Sequence, residues 1–153
     1  MKKLINIVTL SALAGILVAC GQSTGTNSSS APATSEAVKK ENIDWSKAGP
    51  DAKAHKISFE QVAEDVKNGA VFYDVRSKGE FDSKNFGITK NFPITDLEDG
   101  KLPDLPKDTK IYVHCLKGIR SAEATKILRD AGFTNVYDMG GMEHVTAIGG
   151  IAK

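Results

Sequence analysis

The sequence predicts an α/β fold in which helices cover both faces of a central parallel sheet. Strand-like apolar runs alternate along the chain with helix-like segments, an order typical of parallel sheets. The run at residues 70–75, AVFYDV, is apolar almost throughout, as expected for a strand that is covered on both faces. A second such run, at residues 111–113, leads through a short loop into a helical pattern that stops at Gly132.

Cap residues and apolar spacing predict the elements of the first half of the domain. A short strand ends at Ile57, and Ser58 then caps a helix, with Gln61 three residues later as the partner in a capping box. The pair Asn68-Gly69 ends this helix. The elements predicted next are a strand at residues 70–75, a helical turn at 80–84, a strand at 88–92 and a helical turn at 95–97.

The stretch from residue 110 to residue 132 carries the candidate active site. Cys115 follows its strand and faces the start of the next helix, where backbone N–H groups and the helix dipole stabilise a thiolate. A last strand is predicted at residues 135–139, with a short amphipathic turn after it. Asp74 and Arg76 lie at the end of the strand at 70–75, so we expect them at the same edge of the sheet, where such folds bind ligands.

Composition and cysteine count narrow the possible functions. The 153 residues are 41% hydrophobic and 25% charged, with a net charge of +1, which is typical of a globular protein. Because there is no basic block, we expect no nucleic-acid partner. The two cysteines, Cys20 and Cys115, show neither a C-x-x-C spacing nor a His/Cys cluster, so we expect no metal or other cofactor.

Residues 1–19 are predicted to be a lipoprotein signal peptide. Lys2 and Lys3 precede an apolar segment that ends in Leu17-Val18-Ala19-Cys20, and this ending resembles the bacterial lipobox. The resemblance implies cleavage before Cys20, lipid attachment to its thiol, and anchoring to a membrane outside the cytoplasm, in the bacterial cell envelope. In a cell that has an outer membrane, the absence of Asp at position 21 favours the periplasmic side of that membrane under the sorting rule of such lipoproteins. An ordinary signal cleaved near Ala19 is the alternative.

A flexible linker is predicted between the lipid anchor and the folded domain. Residues 20–53 comprise Cys20 and a linker rich in Ser, Thr, Gly and Ala, and the domain follows at residues 54–153. Trp45 interrupts this polar composition. We expect Trp45 to pack back on the domain, with docking of a partner as the alternative.

Four motifs, in this order over the domain, resemble the single-domain rhodanese-like sulfurtransferases. They are Tyr73-Asp74-Val75-Arg76 with Glu80-Phe81, Asn91-Phe92-Pro93, Cys115-x-x-Gly118-x-Arg120 with Ser121-Ala122, and Val136-Tyr137-Asp138-Met139-Gly140-Gly141. The resemblance implies a rhodanese-like three-layer domain with the parallel sheet already predicted. The chain departs from the family pattern at residues 84–89, where a usual His is absent, and at Met142, where a Trp is usual.

The resemblance implies a thiosulfate sulfurtransferase, and we expect its catalytic domain to be monomeric. Cys115 would be the nucleophile, carrying a persulfide from a small anionic donor to a thiol or cyanide acceptor. The backbone N–H groups of the loop would hold the sulfur anion; the loop residues after the cysteine are Leu116, Lys117, Gly118, Ile119 and Arg120.

Charged side chains near Cys115 are further candidates for the site. Lys117 and Arg120 bring positive charge, and Arg120 offers a bidentate fork to an oxyanion. Asp74 is expected to accept hydrogen bonds from the loop. Arg76 either lines the pocket or pairs with Glu80 to hold a turn, and we favour the pairing.

The three histidines are predicted to have structural roles. His114 is interpreted as a core residue whose hydrogen bonds are satisfied, although related phosphatases also place a His before the Cys. His55 and His144 are interpreted as surface or packing residues.

Two other functions remain as alternatives. The first is a phosphatase or arsenate reductase of the same fold. The active-site loop of those enzymes resembles Cys-x5-Arg, whereas here only four residues separate Cys115 from Arg120, and this shorter loop suits a sulfur atom. The other alternative is a catalytically silent binding module tethered to the membrane.

Overall fold

The computed structural model describes residues 43–153. The predicted signal peptide, Cys20 and the linker up to residue 42 lie outside these residues. The helices are α1 (Pro50–His55), α2 (Phe59–Lys67), α3 (Lys78–Ser83), α4 (Ile94–Glu98), α5 (Ile119–Asp130) and α6 (Met142–Ala147). The strands are β1 (Val71–Asp74), β2 (Lys90–Asn91), β3 (Ile111–His114) and β4 (Val136–Gly140). Within the described residues, no helix has the length and apolar character needed to cross a membrane.

The strands form one parallel sheet in the order β2-β1-β3-β4. Asp74, the last residue of β1, is level with Asn91 of β2 and with His114 of β3. The carboxyl ends of the three strands therefore meet at one edge, which is where Cys115 begins its loop. This arrangement confirms the predicted α/β fold with a parallel sheet and places the candidate residues together.

Alternating side chains of the strands build a core on each face of the sheet. On β1, Val71 and Tyr73 face the layer that contains α4 and α5, while Phe72 faces the layer of α1, α2 and α6. All four residues of β1 are buried, and so are all four of β3. Each fully buried apolar side chain of this kind stabilises the fold by about 1.5–3 kcal/mol. The continuous apolar runs in the sequence reflect this two-sided burial.

The segment before α2 differs from its prediction. Residues 54–57 contain no strand, because Pro50 starts the helix α1 and Lys56 ends it in the left-handed conformation, with φ of 55°. Ala52 is fully buried, and Gly49 lies so close to β4 that a Cβ there would be 2.2 Å from the carbonyl oxygen of Met139. The predicted linker boundary at residue 53 is therefore wrong. The folded region already includes Ile43, which is 8% exposed.

Trp45 packs against the domain, as predicted. It starts a single 3₁₀ turn, Trp45–Lys47, and contacts the core layer beneath α1 and α6. The ammonium group of Lys56 lies 5.2 Å from the centre of the indole ring, in cation–π geometry.

Most of the other elements lie where the sequence predicts them. The Ser58 hydroxyl accepts a hydrogen bond from the Gln61 amide at 3.2 Å, although the Gln61 side chain binds Asp65 and so does not complete a capping box. The predicted strand at residues 88–92 is only two residues long. Gly132 follows α5 with φ of +93°, a conformation that suits glycine at a helix end.

Candidate active site

Cys115 lies between the end of β3 and the first turn of α5. Its side chain is 1% exposed, and its Sγ accepts a hydrogen bond from the amide of Gly118 at 3.0 Å. Gly118 is the N-cap of α5 and has φ of +99°, which lets the loop turn back toward the sulfur. The structure therefore places the thiol at a strand end and against a helix N-terminus, as the sequence predicts.

The loop after Cys115 is attached to β4 and α6 by backbone hydrogen bonds. The Cys115 amide donates to the Gly140 carbonyl, and the Met142 amide donates to the Leu116 carbonyl, both at 3.0 Å. The approach is so close that a Cβ on Gly141 would lie 2.6 Å from the Leu116 oxygen. The Gly140-Gly141 pair thus serves the active-site loop directly, by letting two backbone segments meet.

Ser121 links the same two segments from the first turn of α5. Its hydroxyl is 3.0 Å from the carbonyl of Gly118 and 3.2 Å from that of Gly140, and the residue is fully buried. The sequence reasoning did not assign Ser121 a role, although its place in the Arg-Ser pair of the motif was visible.

Arg120 forms a bidentate ion pair with Glu80. Its Nη1 and Nη2 atoms each lie 2.9 Å from a Glu80 oxygen. The hydrogen bonds from Arg120 lower the pKa of Glu80 to about 2. The fork that was predicted to hold an oxyanion is therefore occupied, because Glu80 on α3 lies opposite the first turn of α5. The sequence reasoning missed this role of Glu80.

Arg76 pairs with Asp74, and the predicted Arg76–Glu80 pair is wrong. The guanidinium reaches Asp74 through Nη2 at 2.6 Å and Nε at 2.9 Å, and it also donates to the Lys84 carbonyl at 2.5 Å. The pairing follows from the turn after β1, which brings Arg76 back onto a residue two positions earlier. Asp74 is fully buried and accepts these bonds. Within residues 43–153 it accepts none from the loop after Cys115, so that prediction is also wrong.

His114 is a core residue between two aromatic rings. Its ring centre lies 5.0 Å from that of Phe72 and 5.2 Å from that of Phe86. Burial lowers the pKa of His114 to about 4, so the side chain is neutral at physiological pH. The predicted core location is confirmed, but the hydrogen bonding is incomplete. Nδ1 lies 3.2 Å from the Cys115 carbonyl, whereas Nε2 has no hydrogen-bond partner within residues 43–153 and is 3.5 Å from an Asp74 oxygen.

A cleft of about 680 Å³ opens beside the loop. Leu116 and Lys117 line it from the loop, and His144 lines it from α6; the other lining residues are Arg76, Glu80, Ser83, Lys84, Gly141, Met142 and Glu143. His144, which was interpreted as a surface or packing residue, therefore belongs to the site. His55 has the packing role that was predicted, against Tyr137 with the ring centres 5.5 Å apart.

Comparisons with known proteins agree with this geometry. Residues 58–147, more than half of the chain, match the rhodanese-like domain family. The adenylyltransferase and sulfurtransferase UBA4 of Saccharomyces cerevisiae is 30% identical over 129 residues, and the match covers 71% of this chain and 29% of the yeast protein. The chain thus spans less than a third of that relative.

Two solved structures are similar over most of their own length. A rhodanese-related protein of Thermoplasma volcanium is 30% identical, with a TM-score of 0.51, and the match covers 63% of this chain and 95% of that one. The rhodanese-like domain of the Alr3790 protein of Anabaena is also 30% identical, with a TM-score of 0.50, and the match covers 56% of this chain and 81% of that one. Together with the parallel sheet and the loop around Cys115, these matches show that the chain belongs to the rhodanese-like domain family.

Proposed function

We propose that this protein is a sulfurtransferase that moves a sulfane sulfur from a thiosulfate-like donor to a thiol or cyanide acceptor through a persulfide on Cys115. The observation that carries the proposal is the 3.0 Å hydrogen bond from the Gly118 amide to Sγ. This amide caps the 12-residue helix α5, so the positive end of the helix dipole faces the sulfur as well. Both features favour the anionic forms, first the thiolate and then the persulfide.

The proposed reaction has two steps that return the enzyme to its starting state. The Cys115 thiolate attacks the outer sulfur of thiosulfate, the sulfur–sulfur bond of the donor breaks, and sulfite leaves with the bonding electron pair. The acceptor anion then attacks the outer sulfur of the persulfide, and the Cys115 thiolate leaves. With cyanide the product is thiocyanate, and with a thiolate it is a new persulfide. No net oxidation or proton transfer is required.

The loop residues divide this work between backbone and side chains. In the proposal, the amides of residues 116–120 surround the added sulfur, while Lys117 attracts the anionic donor to the cleft. Arg120 and Arg76 act through their ion pairs with Glu80 and Asp74, which hold α3, α5 and the end of β1 around the loop. Because Cys115 is 1% exposed, side chains around the loop have to move before a donor reaches the sulfur, and exposed Leu116 lines the cleft beside it.

Intact-mass measurement after incubation with thiosulfate tests the proposal. We expect the gain of one sulfur atom, its loss on addition of cyanide, and neither change in the variant Cys115→Ser. A phosphate ester serves as the control substrate for the phosphatase alternative. Turnover of the ester without any gain of sulfur would overturn the proposal in favour of that alternative.

The burial of Cys115 favours one second candidate, a catalytically silent binding module. The thiol is 1% exposed and is not among the residues that line the cleft. A silent module would take up no sulfur from thiosulfate or from an alkyl persulfide, and its Cys115 would resist alkylation in the folded state. Rapid alkylation of Cys115 at neutral pH, together with sulfur uptake, would exclude this candidate.

We also propose that the domain works at a membrane of the bacterial cell envelope, held by lipid on Cys20. The support is the Leu17-Val18-Ala19-Cys20 ending described above, which precedes the described residues. Fractionation of cells that express the variant Cys20→Ala should find the protein released from membranes, whereas Cys115→Ser should stay attached. Attachment of both variants would contradict the lipid anchor.

A further inference from the structure

His144 presents a single, fixed hydrogen-bond donor. It lies in the first turn of α6, where its Nδ1 is 2.9 Å from the amide nitrogen of Gly141, the residue that caps this helix. An amide N–H can only donate, so Nδ1 must carry the lone pair. The proton of the neutral ring is therefore on Nε2.

The donor belongs to the cleft beside the catalytic loop. His144 is half-buried and lines the cleft, and its Nε2 has no hydrogen-bond partner among residues 43–153. Its ring also lies next to Gly118, since Cε1 is 3.6 Å from the position that a Cβ on Gly118 would take. Gly118 is the residue whose amide holds the Cys115 sulfur, so His144 and the thiol contact the same short loop.

The charges around the cleft favour an anion. Arg76 and Glu80 are already paired with Asp74 and Arg120. Two exposed lysines, Lys84 and Lys117, line the cleft and form no ion pair within the described part of the chain. Glu143 is the one lining carboxylate there that no basic side chain neutralises. A small anion entering the cleft therefore meets two free ammonium groups and the Nε2–H of His144.

We propose that His144 determines the specificity for the sulfur donor, with its Nε2–H donating to a sulfonate oxygen while the outer sulfur of the donor faces Cys115. The inference rests on the proposed sulfurtransfer and names its substrate class, a donor that carries an oxyanion. A persulfide donor lacks the sulfonate oxygens and gains nothing from this contact. The fixed tautomer matters because a lone pair on Nε2 would repel the same oxygen.

Two matched variants separate the hydrogen bond that His144 offers to the cleft from the hydrogen bond that caps α6. Glutamine and glutamate at this third helical position both offer an oxygen to the Gly141 amide, so both His144→Gln and His144→Glu retain the cap. Only glutamine also offers an N–H to the cleft, whereas glutamate offers an anionic acceptor. Thermal melting should confirm that the two variants fold alike.

Steady-state kinetics with two sulfur donors provides the first test. We expect His144→Glu to raise the KM for thiosulfate at least about tenfold, because the variant loses one hydrogen bond to a charged group and also places a carboxylate beside an anionic donor. His144→Gln should stay within about threefold of the original protein, and neither variant should change the kinetics with an alkyl persulfide by more than about threefold. Equal effects of both variants, or an equal effect on both donors, would overturn the inference.

Binding without chemistry separates this inference from the proposed function. Thiosulfate binding to Cys115→Ser protein, measured by calorimetry, should weaken at least about tenfold when His144→Glu is added and stay within about threefold with His144→Gln. If this pattern appears while the original protein takes up no sulfur, the anion site stands and the sulfurtransfer fails. If the original protein turns over thiosulfate and His144→Glu changes neither binding nor KM, the role of His144 fails and the sulfurtransfer stands.

Discussion

Replacing Glu80 by glutamine should destabilise the fold around the loop that follows Cys115 without changing any residue of that loop. Glu80 lies in α3 and forms the bidentate pair with Arg120, at 2.9 Å through both oxygens. It also accepts hydrogen bonds from the amide and hydroxyl of Ser77, which close the capping box of α3. Glutamine can still cap the helix through its carbonyl oxygen, so Glu80→Gln removes mainly the charge from the pair.

The pKa of Glu80 sets the size and the pH range of the effect. A shift from 4.5 to about 2 corresponds to about 3 kcal/mol when each pKa unit is worth about 1.4 kcal/mol. Both side chains are about one-third exposed, at 33% and 34%, so solvent screening reduces this to about 1–2 kcal/mol. The native pKa lies below the unfolded one, so the stabilisation is complete above pH 4.5 and is lost as the pH falls toward 2.

Urea unfolding at a series of pH values provides the assay. At pH 7 we expect Glu80→Gln to lose about 1–2 kcal/mol of unfolding free energy, and the difference should shrink by roughly half by pH 3. Asp82→Asn is the control, because Asp82 on the same helix forms an ion pair with Lys78 in which the side chains are 53% and 77% exposed. Such a surface pair contributes only about 0–1 kcal/mol. Equal losses in the two variants, or a difference that is independent of pH, would refute the reasoning.

Three other predictions concern Gly118, His114 and Tyr112. Gly118→Ala should lower the unfolding free energy by about 1–2 kcal/mol and lower sulfur transfer, because Gly118 has φ of +99°, a conformation that is unfavourable for alanine. The control Gly79→Ala in α3 should cause no loss of unfolding free energy. The pKa of His114 is lowered to about 4 in the folded protein, so as the pH falls the unfolded chain binds a proton at this residue first. The unfolding free energy should therefore fall on the order of 2–3 kcal/mol between pH 6.5 and pH 4. In urea titrations, His114→Asn should reduce this dependence on pH. Tyr112→Phe, measured the same way, should cost about 1.5–3 kcal/mol because its hydroxyl donates to Asp65 at 2.5 Å.

Local sequence signals predicted the sheet and the position of the thiol. The runs at residues 70–75 and 111–113 are apolar because β1 and β3 are covered on both faces, a direct physical link between composition and place in the fold. The helix α5 and its end at Gly132 were equally clear, since spacing and a glycine cap agree there. The same signals predicted the position of Cys115, because the first residue of a short loop between a strand and a helix must lie at the strand end and near the helix N-terminus.

The segment before α2 could not be predicted in the same way. Residues 43–53 read as linker because their neighbours are polar and because α1 has only six residues, with one fully buried alanine, Ala52. Their order comes from contacts with distant residues, such as the bond from Arg129 to Asp51 at 2.8 Å and that from the Asp138 amide to the same carboxylate at 2.7 Å. The spacing of apolar and polar residues within 43–53 carries no information about hydrogen-bond partners that lie more than 70 positions away.

The ion-pair partners of the charged residues in the site were also difficult to predict from the sequence. The buried Arg76–Asp74 pair is formed by residues two apart, yet the sequence favoured Glu80 as the partner of Arg76 because a turn and a short helix can bring either carboxylate within reach. Glu80 is 40 positions from its actual partner, Arg120. Which acid neutralises which base therefore depends on how α3 lies against α5, and packing alone decides that.

The pairing of Arg120 with Glu80 changes which side chains are available to bind a substrate. If Arg120 were free, its fork would be the natural ligand of an oxyanion, and the rest of the cleft would matter little. Because Glu80 occupies that fork, the side-chain donors left for an anion in the cleft, within residues 43–153, are the exposed ammonium groups of Lys84 and Lys117 and the Nε2–H of His144. Exposed lysines attract anions over a distance of about 8 Å at physiological salt but fix no geometry. The orientation of a donor over Cys115 must then come from groups whose own positions are held by hydrogen bonds, and on the cleft side that requirement is met by His144, through Gly141.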